Sequence, residues 1–224
     1  MKAMQIMDLN YQTLKPRHRE ARESLPEEVS LRIHRALSWL KAANEDEHAD
    51  AKFIFLWIAF NAVYAQEFES GVELSEKRVF RDFLARLLRL DDDDLIYNIT
   101  WENYTGKVRL FINNQYVSRP FWRFQNGALS EIEWKRQFDG SCRAASRALA
   151  MKDTAVFIGI LFDRLYMLRN QLIHGGATWE SNVNRDQVRD GTRTLEDIVP
   201  AIIHIVMEHP EEPWGAPSFP PTGH

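Results

Sequence analysis

The chain predicts an all-α fold, and three observations carry the prediction. Apolar residues recur at three- and four-residue steps in separate stretches: Val29, Ile33, Leu37 and Leu40, then Val79, Phe83, Leu87 and Leu90, then Leu161, Leu165, Leu168 and Leu172. That spacing lays one stripe along a helix. Helix starts are marked by Pro26-Glu27-Glu28 and by Ser130 with Glu133, which has capping-box spacing. Gly175-Gly176 closes the last of the three stripes.

Taken in order, residues 1–24 are rich in charge, including Lys15, Arg17, Arg19, Glu20, Arg22 and Glu23, and read as an N-terminal arm with no apolar core of a secretory signal. A helix then runs from Pro26 to about Ala43, and Asn44 to His48 is a polar break. The next helix, about Asp50 to Glu67, is apolar nearly all round and belongs at the centre of a bundle. Another covers Ser75 to Leu90.

The four aspartates Asp91 to Asp94 lack the alternating ligands and the glycine of a calcium loop, so they read as a solvated connector that caps the following segment. The stretch around 100–128 is less regular. Lys107 to Asn114 fits either a short strand or a helix ending at the Asn pair, and Arg119-Pro120 disfavours one helix running through that point. Helix resumes at Ser130 through Trp134 and Phe138, with Gly140 a place where it could break. The segment 153–174 follows as a further helix.

Trp179 to Asn184 reads as a loop, with Asn184 as cap of a last helix carrying Val188, Leu195, Ile198, Val199, Ile202, Ile203 and Val206 and kinked at Pro200. His204 lies on its apolar face and reads as structural. Residues 209–224 hold five of the nine prolines and belong outside the bundle, free to drape over it or over a partner. The expected organisation is therefore an arm (1–24), one helical domain (25–208) and a tail (209–224).

Composition narrows the class. Hydrophobic residues make up 45% of 224 and charged ones 27%, which describes a globular chain. The longest apolar run, Phe53 to Ala65, falls short of the ~20 residues of a membrane span, so the expected location is cytoplasmic. Cys142 is the one cysteine, which excludes an intrachain disulfide and a cysteine-based metal cluster. Neither a metal nor a cofactor is expected.

Net charge is −4, which argues against coating nucleic acid over the whole surface. The charge is uneven, however. Thr105 to Lys152 holds nine cations, among them Lys107, Arg109, Arg119, Arg123, Lys135 and Arg136, against three anions. Seven aromatics are interleaved from Phe111 to Phe138. Such a mixture can hold phosphates while stacking unpaired bases; it also fits aromatics in a core under a solvated charged face.

The stretch most specific in chemistry is Arg169-Asn170-Gln171-Leu172-Ile173-His174-Gly175-Gly176. At 100° per residue, Asp163, Tyr166, Asn170 and His174 fall within about 80° of one another, opposite the leucines. Arg169 sits on the flank, five residues before His174, and its long side chain can bend toward the space His174 faces. An imidazole there can give and take a proton near neutral pH. The plainer alternative is that Arg169 and Asn170 bridge neighbouring helices while His174 binds the last carbonyls.

Arg169, Asn170 and His174 resemble the Arg-polar-x3-His motif of the HEPN superfamily, many members of which are metal-independent endoribonucleases. Phe53 to Tyr64 looks like the aromatic-rich helix that some HEPN branches pack beside the motif helix, and Leu161-Phe162-Asp163-Arg164-Leu165-Tyr166 adds to the likeness. The resemblance spans roughly residues 25–208. It implies an up-and-down HEPN-like helical bundle with an inserted, less regular segment, and cleavage of RNA by 2′-hydroxyl attack to leave a 2′,3′-cyclic phosphate.

In that reaction His174 moves protons, Arg169 holds the nonbridging oxygens and Asn170 orients the ring or the phosphate. The likeness further implies RNA as partner, a homodimer in which two motifs face each other, and an antitoxin or other regulatory protein in a toxin–antitoxin or phage-defence setting. Some HEPN toxins carry a tyrosine two residues beyond the motif His that a nucleotidyltransferase partner modifies; here that place is Gly176, a departure that puts such control in doubt. The alternative is a noncatalytic HEPN module for dimerisation or for binding nucleotide or RNA.

Overall fold

A computed structural model describes residues 9–65, 74–102, 107–182, 184–217 and 219. Among these, ten α-helices and no strand are present: α1 Tyr11–Ala21, α2 Glu27–Glu45, α3 Ala49–Tyr64, α4 Leu74–Arg89, α5 Leu95–Glu102, α6 Lys107–Ile112, α7 Arg119–Gln125, α8 Glu131–Met151, α9 Thr154–Ile173 and α10 Arg185–Glu208. The all-α expectation holds. The chain divides into two compact units, residues 1–96 with 195–224, and residues 97–194.

In the first unit, α2 packs on α3. The even distribution of apolar residues round α3 has the expected result: Phe53, Leu56, Trp57, Ala59, Phe60 and Val63 are all buried. Phe80 and Phe83 of α4 meet Phe60 edge-on, both at 6.2 Å between centroids, the geometry ring quadrupoles favour. α3 ends at Tyr64; Glu67, where the sequence reading ended it, lies outside the described residues. Arg32, fully buried, donates from Nη1 to the carbonyls of Val63 (2.8 Å) and Ala65 (2.7 Å) and from Nη2 to that of Gly215 (2.9 Å). One side chain thus satisfies carbonyls at the end of α3 and fixes the C-terminal segment.

Residues 1–24, read as an arm, contain α1. A capping box between Asn10 and Thr13 starts it, and Leu14 and His18 are buried. His18 Nε2 lies 3.2 Å from the Ser30 carbonyl on α2, and burial pushes the ring below its ordinary pKa. The aspartate connector behaves as expected: the Asp91 carboxylate accepts from the amides of Leu95 (2.7 Å) and Ile96 (2.8 Å), capping α5.

The part of α10 within this unit buries Leu195, Ile198, Val199, Ile202, Ile203 and Val206, and Pro200 lies inside the helix. His204 is structural, as read: buried, with Arg17 Nη1 3.1 Å from its Nδ1. In the described part of the tail, Trp214 lies against this unit. Trp214 is only 2% exposed, donates from Nε1 to the His209 carbonyl (2.8 Å), meets Phe83 at 5.9 Å and lies under the Arg86 guanidinium. A large aromatic among the prolines gains more by burial than the segment loses in freedom.

The second unit holds the less regular stretch. α6 is helical, settling the strand-or-helix alternative for Lys107 to Asn114, and ends before the Asn pair. A single 3-10 turn, Gln115–Val117, follows, and Arg119-Pro120 opens α7 as a first-turn proline. α8 has the expected Ser130–Glu133 capping box but runs unbroken through Gly140. Helix propensity lost at one glycine costs only ~1 kcal/mol, which 21 residues of α8 absorb. Asn184 does not cap α10 with its side chain, because its Oδ1 is buried without a hydrogen-bond partner; its backbone carbonyl accepts from Val188 instead (3.1 Å).

Candidate functional site

The site is built on the last turns of α9, within the second unit. Asp153 starts this helix by accepting from the Val156 amide at 3.1 Å. Phe157, Ile158, Leu161, Phe162, Leu165 and Leu168 are buried, while Leu172, the last member of the expected stripe, is half-buried. On the other face, Asp163, Tyr166 and His174 are exposed and Asn170 is half-buried. The polar stripe therefore faces outward along about three turns.

How α9 ends decides where His174 stands. Gly175 takes a left-handed φ of 71°. Its amide reaches the Leu172 carbonyl at 3.5 Å, and the Gly176 amide reaches that of Gln171 at 2.7 Å. This is the paired 6→1 and 5→2 closure of a Schellman motif, which needs a residue tolerant of positive φ at the first glycine. A Cβ on Gly176 would come within 3.3 Å of the Gln171 carbonyl oxygen. His174 is the last residue before the reversal, its amide held by the Asn170 carbonyl at 3.0 Å. The main chain is pinned and the imidazole is left in solvent.

Arg169 bends as the spacing allows. Its Nη1 donates to Asn170 Oδ1 at 2.9 Å, so the guanidinium is held by a residue that shares one helix face with His174 at i, i+4. Arg169 Nε is buried with no hydrogen-bond partner. Among the described residues, no carboxylate forms an ion pair with Arg169 or His174. His174 is exposed, and Arg169 is half-buried with its Nη1 given to Asn170.

Of the cations singled out in the sequence, Arg119 reaches this helix. Its guanidinium lies 5.6 Å over the Tyr166 ring, one turn before Asn170 on the polar stripe. A second tie lies beside it: Gln171 Nε2 donates to the Tyr116 carbonyl. The 3-10 turn and the start of α7 are thus fastened to the motif end of α9. Arg109, Arg123 and Arg136 are exposed, Lys135 pairs with Glu131 one turn away on α8, and the side chain of Lys107 lies outside the described residues.

The aromatics of that segment divide. Phe111, Phe121 and Trp134 are buried, with Phe121 edge-on to Tyr116, Trp122 and Trp134 at 5.3–5.4 Å; these are core. Tyr116 is 49% exposed and Tyr166 is 37% exposed, and both flank the motif. Sequence reasoning did not anticipate Arg164. It is buried on α9, donating from Nε to the Ile112 carbonyl (3.1 Å) and from Nη2 to Ser141 Oγ (3.0 Å), with Phe138 under its guanidinium at 5.5 Å. A buried arginine satisfied by a carbonyl and a hydroxyl braces α9 against α6 and α8; a charged residue on the edge of an apolar stripe was its only sequence signal.

No group of three or more His, Cys, Asp or Glu side chains able to hold a metal occurs among the described residues. None of their helices is long and apolar enough to cross a membrane. Comparison of the chain with protein-family models, with curated proteins and with solved structures gives no match.

Proposed function

We propose that this protein is a HEPN-type endoribonuclease whose catalytic residues are Arg169, Asn170 and His174. The observation that carries the reading is the Arg169–Asn170 hydrogen bond beside an exposed His174 on a closed helix end. It supports an arrangement in which a cation and a titratable ring address one phosphate.

The substrate brings its own nucleophile. The 2′-hydroxyl attacks the neighbouring phosphorus, the new O2′–P bond forms as the P–O5′ bond breaks, and a 2′,3′-cyclic phosphate and a 5′-hydroxyl result. The proton leaving O2′ and the proton arriving at O5′ balance. His174 carries one of them. Arg169 meets the charge that builds on the nonbridging oxygens, for which its planar fork is suited, and Asn170, already holding that fork, keeps it aimed. Arg119, held against Tyr166, supplies a further cation for the RNA backbone next to the scissile group.

The resemblance also motivates a homodimer in which two such motifs converge, and a regulatory partner that restrains cleavage. The test uses purified protein and structured and unstructured RNAs with a chelator present. Wild type is expected to yield cyclic-phosphate ends, and Arg169→Ala and His174→Ala are expected to yield none. Intact RNA across all substrates, with nucleotide binding that still requires Arg169, would establish the noncatalytic binding module instead.

A further inference from the structure

The second unit contains a hollow of about 540 Å³, within the range of small-ligand sites. Tyr116 links it to the motif: its carbonyl accepts from Gln171, the residue after Asn170, and from Trp122 Nε1, and the residue lines the hollow. The remaining wall states what the hollow can hold. Leu110, 71% exposed, and Phe138 add apolar surface.

Asn113, Gln115 and Gln187 add three carboxamides that make no side-chain hydrogen bond within the described protein, and Gln187 Oε1 is buried without a donor. Each carboxamide offers both a donor and an acceptor. The charged part is closed to anions. Arg189 is taken up by Asp186 at 2.8 Å and Asp190 at 3.4 Å, so the lining carries one excess negative charge and repels a phosphate.

We infer that this hollow is a nucleobase subsite for a residue of the RNA neighbouring the cleaved linkage. A flat, neutral, edge-bonding ring satisfies every part of the lining: its face stacks on Tyr116, its edge meets the carboxamides, and its phosphates stay outside, toward Arg119 and Arg169. The acids accept hydrogen bonds and cannot give them, so bases with an exocyclic amino group, which offer more donors than the single N3–H of uracil, are favoured. This subsite rests on the nuclease reading for its role in cleavage but not for its binding of a base, which separates the two in experiment.

The test measures binding of adenosine, guanosine, cytidine and uridine, none of which carries a phosphate, to the full chain by ligand-detected NMR. Cleavage of matched RNAs differing at one base is measured in parallel. The expected result is saturable binding of at least one amino-bearing nucleoside with uridine at least tenfold weaker, a loss of at least tenfold in Tyr116→Ala and in Leu110→Glu, and cleavage positions that follow the same base preference. Leu110 is so exposed that its variant keeps the fold, which guards against a misfolded Tyr116 variant.

Binding of all four nucleosides unchanged in Leu110→Glu, or no nucleoside binding at all, overturns the subsite while leaving the nuclease standing. Nucleoside binding lost in both variants, alongside intact RNA, keeps the subsite as a binding site and removes the nuclease.

Discussion

Arg169 and Asn170, adjacent in sequence, are joined side chain to side chain by a 2.9 Å hydrogen bond, and this turns a guanidinium on the flank of α9 toward the face that ends at His174. Without it the cation and the ring would point about 140° apart round the helix.

The first prediction follows from that bond. His174→Ala and Arg169→Ala each lower RNA cleavage by about 100-fold or more, and Asn170→Ala lowers it less, because the fork loses its holder and keeps its charge. Expression of wild type slows growth and the two alanine variants do not. Denaturation midpoints separate chemistry from folding: His174 is exposed, so its variant stays within about 0.5 kcal/mol of wild type.

Gly175 offers a second test, in which backbone conformation is the lever. Gly175→Ala places a Cβ at φ 71° and costs about 1 kcal/mol. The damage is local to the turn that carries His174. Cleavage therefore falls further than the stability loss accounts for, and hydrogen exchange at the Gly176 amide, now held by the Gln171 carbonyl at 2.7 Å, speeds up.

Trp214 is the lever in the C-terminal segment. Trp214→Ala removes a buried indole, its 2.8 Å bond to the His209 carbonyl and its contact with Phe83, with an expected loss of about 3–5 kcal/mol. Urea unfolding reads it directly. A variant as stable as wild type would mean that the segment adds nothing to the fold.

Asp197 makes stability depend on pH. Burial, reinforced by the neighbouring Glu196, raises its carboxyl to about 6 from an ordinary 3.8. Between those values the folded chain holds a proton that the unfolded chain has released, so stability falls as pH rises through that window. Asp197→Asn removes this contribution. It is expected to flatten the pH dependence and to gain about 1 kcal/mol at pH 7, well short of the full shift because part of the carboxyl faces solvent.

Much of the helical pattern was legible because its signals are local. Ser130 and Glu133 cap each other three residues apart, Asp91 caps amides four and five residues on, and Gly175-Gly176 closes the turn that precedes it. The polar stripe of α9 was legible for the same reason. α1 was hidden by its charge and by Pro16 in its interior, although Asn10 and Thr13 carried the start signal.

What could not be read is what distant residues do to one another. Arg32 reaches carbonyls 31, 33 and 183 residues away, Trp214 packs on Phe83, and Arg119 comes to rest over Tyr166. No periodicity encodes such pairings. The polar stripe that carries Asn170 and His174 could be read from sequence; the hollow made from α6, α8, α10 and the 3-10 turn could not.

The exposed position of His174 at the tip of α9 carries a stereochemical consequence. The proposed in-line displacement has an entering and a departing oxygen at opposite poles of the phosphorus, and one imidazole can serve one of them. If a second chain contributes its own ring at the other, turnover per molecule drops on dilution as dimers part, and a mixture of wild type with excess His174→Ala chains loses more activity than the arithmetic of dilution allows.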